Sequence, residues 1–396
     1  MFFPPIREFI HQSLKTFPSS YGSQNINMAA LCDHLIAGRR KSIQSLERTG
    51  TDNISARKIR YSLLRSRPYL QILKEDLSGR FSNINGRERI VVSLDDTSTR
   101  RYGKDVHGAA YQHNHVGGGT QFENIIVDCW ITSLSYFNYD FIQYLPKKFL
   151  QRNQGHLEGF KTKINLAKQL FTKQLTQLLL KGARPKQLCC TTDSWYLCEE
   201  LYKLFGKFKV NFVMGTKKNT QYFLFGKLQT LEKGFVSNAK WRFITNPVTK
   251  TKIYYQEKEI NTLIYGRCKA FAIRQGNSSN IKYYLTNLVK MTIQTFSKRW
   301  SDHWEVENLH AKIKKFFGFE DCYSGKQDFN LCYWELSYFL YYLFRLYQEQ
   351  LRKKGINYTL LKLWECYCTD YDISKAKKHF YSKSKMKSFK KRILAG

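Results

Sequence analysis

The sequence predicts an α/β fold, because strand-like and helix-like segments alternate through the middle of the chain. Two short apolar runs, at 88–96 and 187–193, are rich in β-branched residues or cysteine, and each ends on an acid. Between them, at 163–182, leucines recur at the spacing of an amphipathic helix. Strand, helix and strand in this order are typical of a parallel sheet covered by helices, in which side chains that follow the strands collect at one edge.

The composition indicates a folded protein that binds a polyanion. Hydrophobic residues make up 42% of the 396 residues and aromatic residues 15%, which excludes a wholly disordered chain. Lysine and arginine number 65 against 31 acids, so the formal net charge is +34. A compact fold tolerates such an excess when a large anion neutralises it, which points to nucleic acid as the partner.

Membrane insertion and export are not expected. The most apolar segment, 331–344, contains Glu335 and is followed by Arg345, so it falls short of the roughly 18 apolar residues that span a bilayer. The N-terminus lacks the charged-then-apolar order of a signal peptide. We therefore expect a cytoplasmic protein whose ten cysteines are reduced thiols.

The first region of the chain, 1–85, is predicted to be helical. It contains a basic stretch at 38–67 with nine Lys/Arg against two acids. Short helices with basic outer faces are the usual build of a DNA-docking domain, and a helical cap without DNA contacts has the same pattern. We expect a helical DNA-binding region here.

The next region, 86–215, is predicted to be the first part of the α/β core. After the strand at 88–96, a β-rich stretch at 121–134 can pair with it, and Gly182 is placed to end the long helix. A further strand is predicted at 207–215. The acids at the strand ends make this region the one that carries chemistry.

Three further regions complete the chain. Short apolar runs separated by Gly, Asn and Pro predict a β-rich insertion at 216–282, and 283–330 returns to the core. The region 331–396 is predicted to be helical. Its tail from 374 holds nine Lys/Arg and no acid, so we expect it to be flexible without a polyanion.

A predicted helix at 299–320 carries the third candidate acid. Trp300, His303, Glu307, Ala311 and Lys314 recur at steps of three and four and therefore share one face. A solvated charged face explains this pattern equally well by itself. Together with the two strand acids, however, Glu307 completes the three carboxylates that a two-metal phosphoryl-transfer site requires.

Three motifs in order resemble those of the DDE transposases of bacterial insertion sequences. The segments SLDDTS and TTDSWY are similar to the motifs around the first and second catalytic acids. The run W-x2-H-x3-E-x6-K resembles the signature Y-x2-R-x3-E-x6-K of the cut-and-paste group that carries a β-strand insertion. The resemblance covers roughly residues 88–328 and implies a ribonuclease-H-like core interrupted by the insertion.

The resemblance also implies the roles of individual residues. Asp96, Asp193 and Glu307 would be the catalytic acids and the ligands of two Mg²⁺ or Mn²⁺ ions, and Lys314 would contact a DNA phosphate. Asp96 is preferred over Asp95 because it directly precedes Thr, as in the family.

The chain departs from the family at two positions. Trp300 replaces the tyrosine and can stack on a base, whereas His303 replaces the arginine and holds a phosphate less securely. We expect Arg299, one residue before Trp300, to supply the missing charge at the DNA end.

The resemblance implies a transposase that binds the inverted terminal repeats of its element, cleaves the ends and joins the 3′-hydroxyls to target DNA. Its partner would be double-stranded DNA, held by a homodimer at the bacterial nucleoid. The alternative is a transposase-derived DNA-binding protein that has lost catalysis. A third pattern, His113-Asn114-His115, spells the letters of an HNH nuclease but is better explained as a polar hairpin tip.

Overall fold

The structure of the protein is a computed structural model. It describes residues 5–15, 22–38, 43, 46, 55–81, 84, 86, 88–103, 105–113, 119–134, 136–154, 157–224, 226–236, 240–245, 251–276 and 280–393, with the backbone alone at 22–27, 81, 154, 236 and 378–393.

The chain divides into two compact units. The first consists of Met1–Phe81, Thr99–Glu123 and Leu309–Gly396, and the second of Ser82–Ser98 and Asn124–Asn308. The second unit contains the candidate acids Asp96, Asp193 and Glu307. The five regions predicted from the sequence are consecutive along the chain, and this division stays a prediction.

Twelve strands are assigned in the described residues. They are β1 Ile90–Arg100, β2 Ala110–His113, β3 Thr120–Thr132, β4 Phe137–Tyr144, β5 Leu188–Thr192, β6 Asn211–Thr216, β7 Gln221–Leu224, β8 Lys227–Thr230, β9 Arg242–Thr245, β10 Lys252–Thr262, β11 Gly266–Gln275 and β12 Lys282–Thr286.

Ten α-helices are assigned in the same residues. They are α1 Ile6–Lys15, α2 Gly22–Ala37, α3 Ala56–Phe81, α4 Lys147–Gln154, α5 Lys163–Leu180, α6 Glu199–Phe208, α7 Leu231–Val236, α8 Ile293–Phe316, α9 Gln327–Lys353 and α10 Leu360–Ile393. None of the helices in the described residues is long and apolar enough to cross a membrane.

The sheet of the second unit is mixed. Its strands are ordered β3-β1-β5-β6-β12-β11-β10-β7-β8, with β4 paired to β3 and β9 paired to β10. Strand β1 runs parallel to β5, with Leu94 opposite Thr192, and β5 runs parallel to β6. Strand β12 pairs antiparallel with β6 and with β11, so the predicted insertion extends the core sheet. The fold class is confirmed as α/β, consistent with a ribonuclease-H-like core and helical flanks.

Helices cover both faces of this sheet. Alternate residues of β1, among them Ile90, Val92 and Leu94, pack in one core with the leucines of α5. Val91 lies in the second core, on the opposite face of the sheet. It packs there with Phe296 of α8 and with Met291, which lies just before that helix. Side chains of a strand point alternately to the two faces, so β1 contributes to both cores.

One expectation about the elements was wrong. The first strand does not end at its acids, because β1 continues to Arg100 and thus includes Asp95 and Asp96. The β-branched Thr97 and Thr99 prolong the strand and are themselves buried. The tail from 374 lies in α10, which extends to Ile393, and its flexibility without a polyanion stays a prediction.

The first unit contains α1, α2, α3, α9 and α10. The aromatic helix α9 is buried along most of its length, as the sequence predicts, and Tyr342 hydrogen-bonds to Ser78 of α3 at 2.7 Å. A buried carboxylate, Asp33 on α2, joins three elements. It accepts hydrogen bonds from Arg7 of α1 at 2.7 Å and from the Tyr367 hydroxyl of α10 at 2.7 Å.

Candidate active site

Asp96 and Asp193 lie at neighbouring positions of the sheet. Strands β1 and β5 are parallel and in register at Leu94 and Thr192, so Asp96 and Asp193 follow this pair by two residues and one residue. Each oxygen of Asp96 accepts a hydrogen bond. Lys163 Nζ donates to Oδ2 at 2.7 Å, and the Tyr196 hydroxyl donates to Oδ1 at 2.9 Å.

The environment of Asp193 disfavours the charged form of its carboxyl group. Burial raises the pKa of Asp193, and the negative charge of Asp96 raises it further. The backbone N–H of Trp195, which donates to Asp193 Oδ1 at 2.9 Å, and the Lys163 ammonium act in the opposite direction. Burial and the charge of Asp96 also raise the pKa of Tyr196, so its hydroxyl stays protonated and donates to Asp96.

Lys163 is a site residue that sequence reasoning missed. It is the first residue of α5, whose N-cap Thr162 accepts from the backbone N–H of Asn165. Its ammonium also lies 5.1 Å from the centre of the Trp195 ring and 5.9 Å from that of Tyr144. A lysine in the first turn of a helix opposes the helix dipole, and this unfavourable placement was a signal in the sequence for a nearby acid.

Asp95 lies on the other face of the sheet. Within β1, the alternation puts Asp96 on the face of α5 and Asp95 on the face of α8. The contacts of Ser93 support this assignment, because Ser93 lies two residues before Asp95 and so shares its face. The Ser93 hydroxyl donates to the carbonyl of Asp302 on α8 at 3.5 Å and accepts from Thr191 at 2.9 Å. The adjacent acids thus serve different sides of the sheet, and Asp95 shares its face with the helix that carries Glu307.

Glu307 is half-buried on α8, and its charge contributes, after burial, to the raised pKa of Tyr284. In the part of the chain that the structure describes, no group of three or more His, Cys, Asp or Glu side chains could hold a metal ion. The structure therefore brings Asp96 and Asp193 together and does not assemble the three predicted ligands. Carboxylate oxygens suit Mg²⁺ or Mn²⁺, so these two acids fit a divalent ion in chemistry and in charge.

Two of the residues expected to contact the DNA end, His303 and Arg299, are buried in the second unit. His303 is 0% exposed, its ring stacks on Trp300 at 4.4 Å, and its Nδ1 lies 3.1 Å from the Thr191 hydroxyl. Arg299 is also buried, beside Cys189, whose pKa is raised by burial and lowered by the guanidinium. Neither side chain reaches the surface as described, so their expected contacts with DNA stay predictions.

Trp300 lines a cavity of about 570 Å³ between α8 and the strands of the insertion. Its ring packs against Tyr284 at 4.5 Å, and Trp304, 44% exposed, lies one turn further along the helix. The rim includes two cations, Arg274 and Lys282. Aromatic walls and a basic rim suit a nucleobase with its phosphate.

Lys314 lies near the end of α8, in the first unit. Its ammonium is 3.4 Å from Glu320 Oε1, and both side chains are partly exposed.

Of the tripeptide that resembles an HNH nuclease, only His113 lies among the described residues, where it ends β2. Its interpretation as a hairpin tip stays a prediction.

Family comparisons agree with this geometry. The family model described as DDE superfamily endonuclease matches residues 24–230, which is just over half of the chain and includes both Asp96 and Asp193. The chain belongs to the DDE superfamily endonuclease family. A second family model, described as Transposase DDE domain, matches residues 167–343 of this DDE endonuclease. That range includes Asp193 and Glu307. No curated protein matches the chain.

Proposed function

We propose that this DDE endonuclease is a transposase of a bacterial insertion sequence. It binds the terminal inverted repeats of its element, cleaves the phosphodiester bonds at the ends and joins the 3′-hydroxyls to target DNA. The observation that carries the proposal is the neighbouring pair Asp96 and Asp193 at parallel strands of the sheet, in a chain of this family. The net charge of +34 supports DNA as the substrate.

Asp96 and Asp193 are proposed to hold divalent metal, Mg²⁺ or Mn²⁺, in a two-ion site. Bound there, the ions would activate water or a 3′-hydroxyl and stabilise the leaving oxygen. The chain itself orients the ligands: the Tyr196 hydroxyl fixes one oxygen of Asp96, and the Trp195 N–H fixes one oxygen of Asp193. These hydrogen bonds hold the two carboxylates in place before substrate arrives.

Glu307 is proposed as the third ligand, on the strength of the family signature. Glu307 does not form a three-acid group with Asp96 and Asp193 in the described residues, so its role as a ligand rests on the signature alone. The cavity beside Trp300 would receive a base at the DNA end, with Arg274 or Lys282 at its phosphate, and Lys314 would hold another phosphate.

Cleavage of DNA that carries the terminal repeats tests the proposal. Wild type is incubated with Mg²⁺ or Mn²⁺ and compared with Asp193→Asn, and Asp372→Asn, an exposed acid on α10, serves as the matched control. Asp193→Asn should lower the cleavage rate at least about 100-fold and leave binding of the ends intact, because the amide removes a negative ligand and keeps the shape. The control should cleave like wild type.

The second candidate function is DNA binding without catalysis. It is favoured by one observation, the lack of an assembled three-acid group among the described residues. Tight binding of the ends without cleavage by wild type supports this alternative. Equal cleavage by wild type and Asp193→Asn contradicts both the proposed site and the alternative.

A further inference from the structure

Lys163 lies on the oxygen of Asp96 that Tyr196 does not bind. With Tyr196 on Oδ1 and Lys163 on Oδ2, neither oxygen of Asp96 is left without a donor. A hydroxyl hydrogen bond is compatible with a metal on the other oxygen, as in many carboxylate ligands. An ammonium at 2.7 Å would compete with a divalent ion for the same oxygen, because the two positive charges repel each other.

We propose that Lys163 is an internal cation that competes with the divalent ion for Asp96, so that metal binding and release of Lys163 are coupled. The inference rests on the proposed metal site at Asp96 and Asp193. It goes beyond that site by assigning Lys163 a positioning and regulatory role. Without metal, Lys163 partly balances the two neighbouring carboxylates. With metal, the lysine leaves Oδ2.

Two aromatic rings border the position that Lys163 occupies beside Asp96. Trp195, half of whose side chain is exposed, has its ring centre 5.1 Å from the ammonium. The Tyr144 ring lies 5.9 Å away on β4. Cations bind favourably over the faces of such rings, so the ammonium keeps stabilising neighbours when a metal ion takes its place on Asp96.

This ion pair differs from an ordinary one on the same helix. Lys173 of α5 pairs with Asp140 in the same way, but Lys173 is half-exposed and Gln174 also donates to that carboxylate. In contrast, Lys163 is 18% exposed and donates to Oδ2 of Asp96, whose other oxygen accepts from Tyr196. The ion pair at Asp96 is therefore the more enclosed of the two.

Binding of Mn²⁺ to the full-length, DNA-free protein tests the proposal, with free Mn²⁺ measured by electron paramagnetic resonance. Lys163→Met keeps the length of the side chain and removes the charge, and Lys173→Met is the matched control. We expect Lys163→Met to bind Mn²⁺ about tenfold more tightly than wild type, within the usual range for coupled ligands. Lys173→Met should bind like wild type. Binding to Asp193→Asn gives the signal of Mn²⁺ held elsewhere, which is subtracted.

Each outcome separates the competition from the proposed function. Equal or weaker binding by Lys163→Met, when Asp193→Asn lowers binding, overturns the competition and leaves the metal site standing. Binding that neither Asp96→Asn nor Asp193→Asn lowers overturns both. Thermal unfolding checks that each variant is folded. If Lys163→Met is not, Lys163→Gln takes its place, because it keeps a donor for Asp96 and must also bind Mn²⁺ more tightly.

Discussion

At the scale of the residue, the two adjacent acids of β1 differ most in what surrounds them. Asp96 faces α5, where Lys163 and Tyr196 bind its oxygens, and Asp95 faces α8, the helix of Glu307. A sequence motif treats the two as neighbours, but a strand sends them to opposite sides of the sheet. The choice between them decides on which face the metal site is built.

Substitution of each acid tests this choice. Asp96→Asn should lower terminal-repeat cleavage at least about 100-fold, because it removes a charged ligand, whereas Asp95→Asn should stay within about tenfold of wild type. Cleavage rates at saturating Mg²⁺ are the measurement. The reverse order of effects would move the ligand role to Asp95 and the site to the face of Glu307.

At the scale of the element, α8 is held on the sheet by aromatic packing. Phe296 and Trp300 pack on Tyr284, and His303 stacks on Trp300 and contacts Thr191 of β5. A fully buried histidine in this position stabilises the helix and has no free surface for DNA. The departure of His303 from the family's arginine thus has a structural consequence in this chain.

Truncation of His303 distinguishes packing from DNA contact. His303→Ala should lower the free energy of unfolding by about 2–4 kcal/mol, because it leaves a cavity and breaks the contact with Thr191. Urea denaturation measures this, and Lys298→Ala, an exposed position on α8, should change stability by less than about 0.5 kcal/mol. Unchanged stability with weaker DNA binding would instead support the original prediction of a phosphate contact.

The Asp33 cluster makes a second element-scale prediction, for the helices of the first unit. Burial raises the pKa of Asp33, but hydrogen bonds and charges of His11 and Arg7 outweigh it, so the pKa is lowered overall. Among the described residues, Tyr367, Asp370 and the buried Cys32 are further titratable groups that face the cluster. A carboxylate with a lowered pKa stabilises the fold above its unfolded pKa of about 3.9, and this contribution is lost as pH falls through the folded value.

The measurement is urea denaturation of wild type and Asp33→Asn from pH 6 down to pH 3. The variant should be less stable by about 1–3 kcal/mol near pH 6, because Arg7 loses its charged partner, and the difference should begin to shrink only as the pH falls below about 4. Asp76→Asn, which removes an exposed pair with Arg80, is the control and should match wild type at both ends. A constant difference over the whole range would contradict the role of the Asp33 charge.

At the scale of the whole molecule, the positive net charge is the property that most affects DNA binding. An excess of +34 predicts that DNA affinity comes largely from phosphate contacts, which release counterions. The outer side of α3 exposes Arg57, Lys58, Arg60 and Arg65, so basic side chains are available in the region expected to dock DNA.

Salt titration of DNA binding tests this. With six to ten phosphate contacts, affinity should fall by about 10³–10⁵ between 50 and 200 mM salt. The double variant Arg57→Ala, Arg60→Ala should reduce the slope of log affinity against log salt by up to about two, whereas Glu75→Gln with Asp76→Asn on the same helix should leave it unchanged. A flat salt response in wild type would contradict the prediction.

Local sequence was sufficient for most of the elements. The leucine spacing of α5, the apolar runs of β1 and β5 and the aromatic helix α9 are decided by hydrophobic periodicity, which reports the face that each segment buries. The end of β1 was missed, because polar threonines can continue a strand when the neighbouring strands bury them. The α/β class and the nearness of Asp96 and Asp193 could thus be predicted from sequence, the latter because β1 and β5 are parallel neighbours and the two acids follow their last paired residues.

Only the tertiary structure decided which groups meet. Lys163 and Tyr196 are distant from Asp96 in sequence, and their hydrogen bonds depend on how α5 and the segment after β5 pack on β1. Burial of His303 depends likewise on the sheet beneath α8. Periodicity determines the face that a segment buries, but the partner of a polar side chain is set by the relative placement of whole elements. The sequence by itself therefore determined the fold class and the candidate acids, and the packing decided their environment.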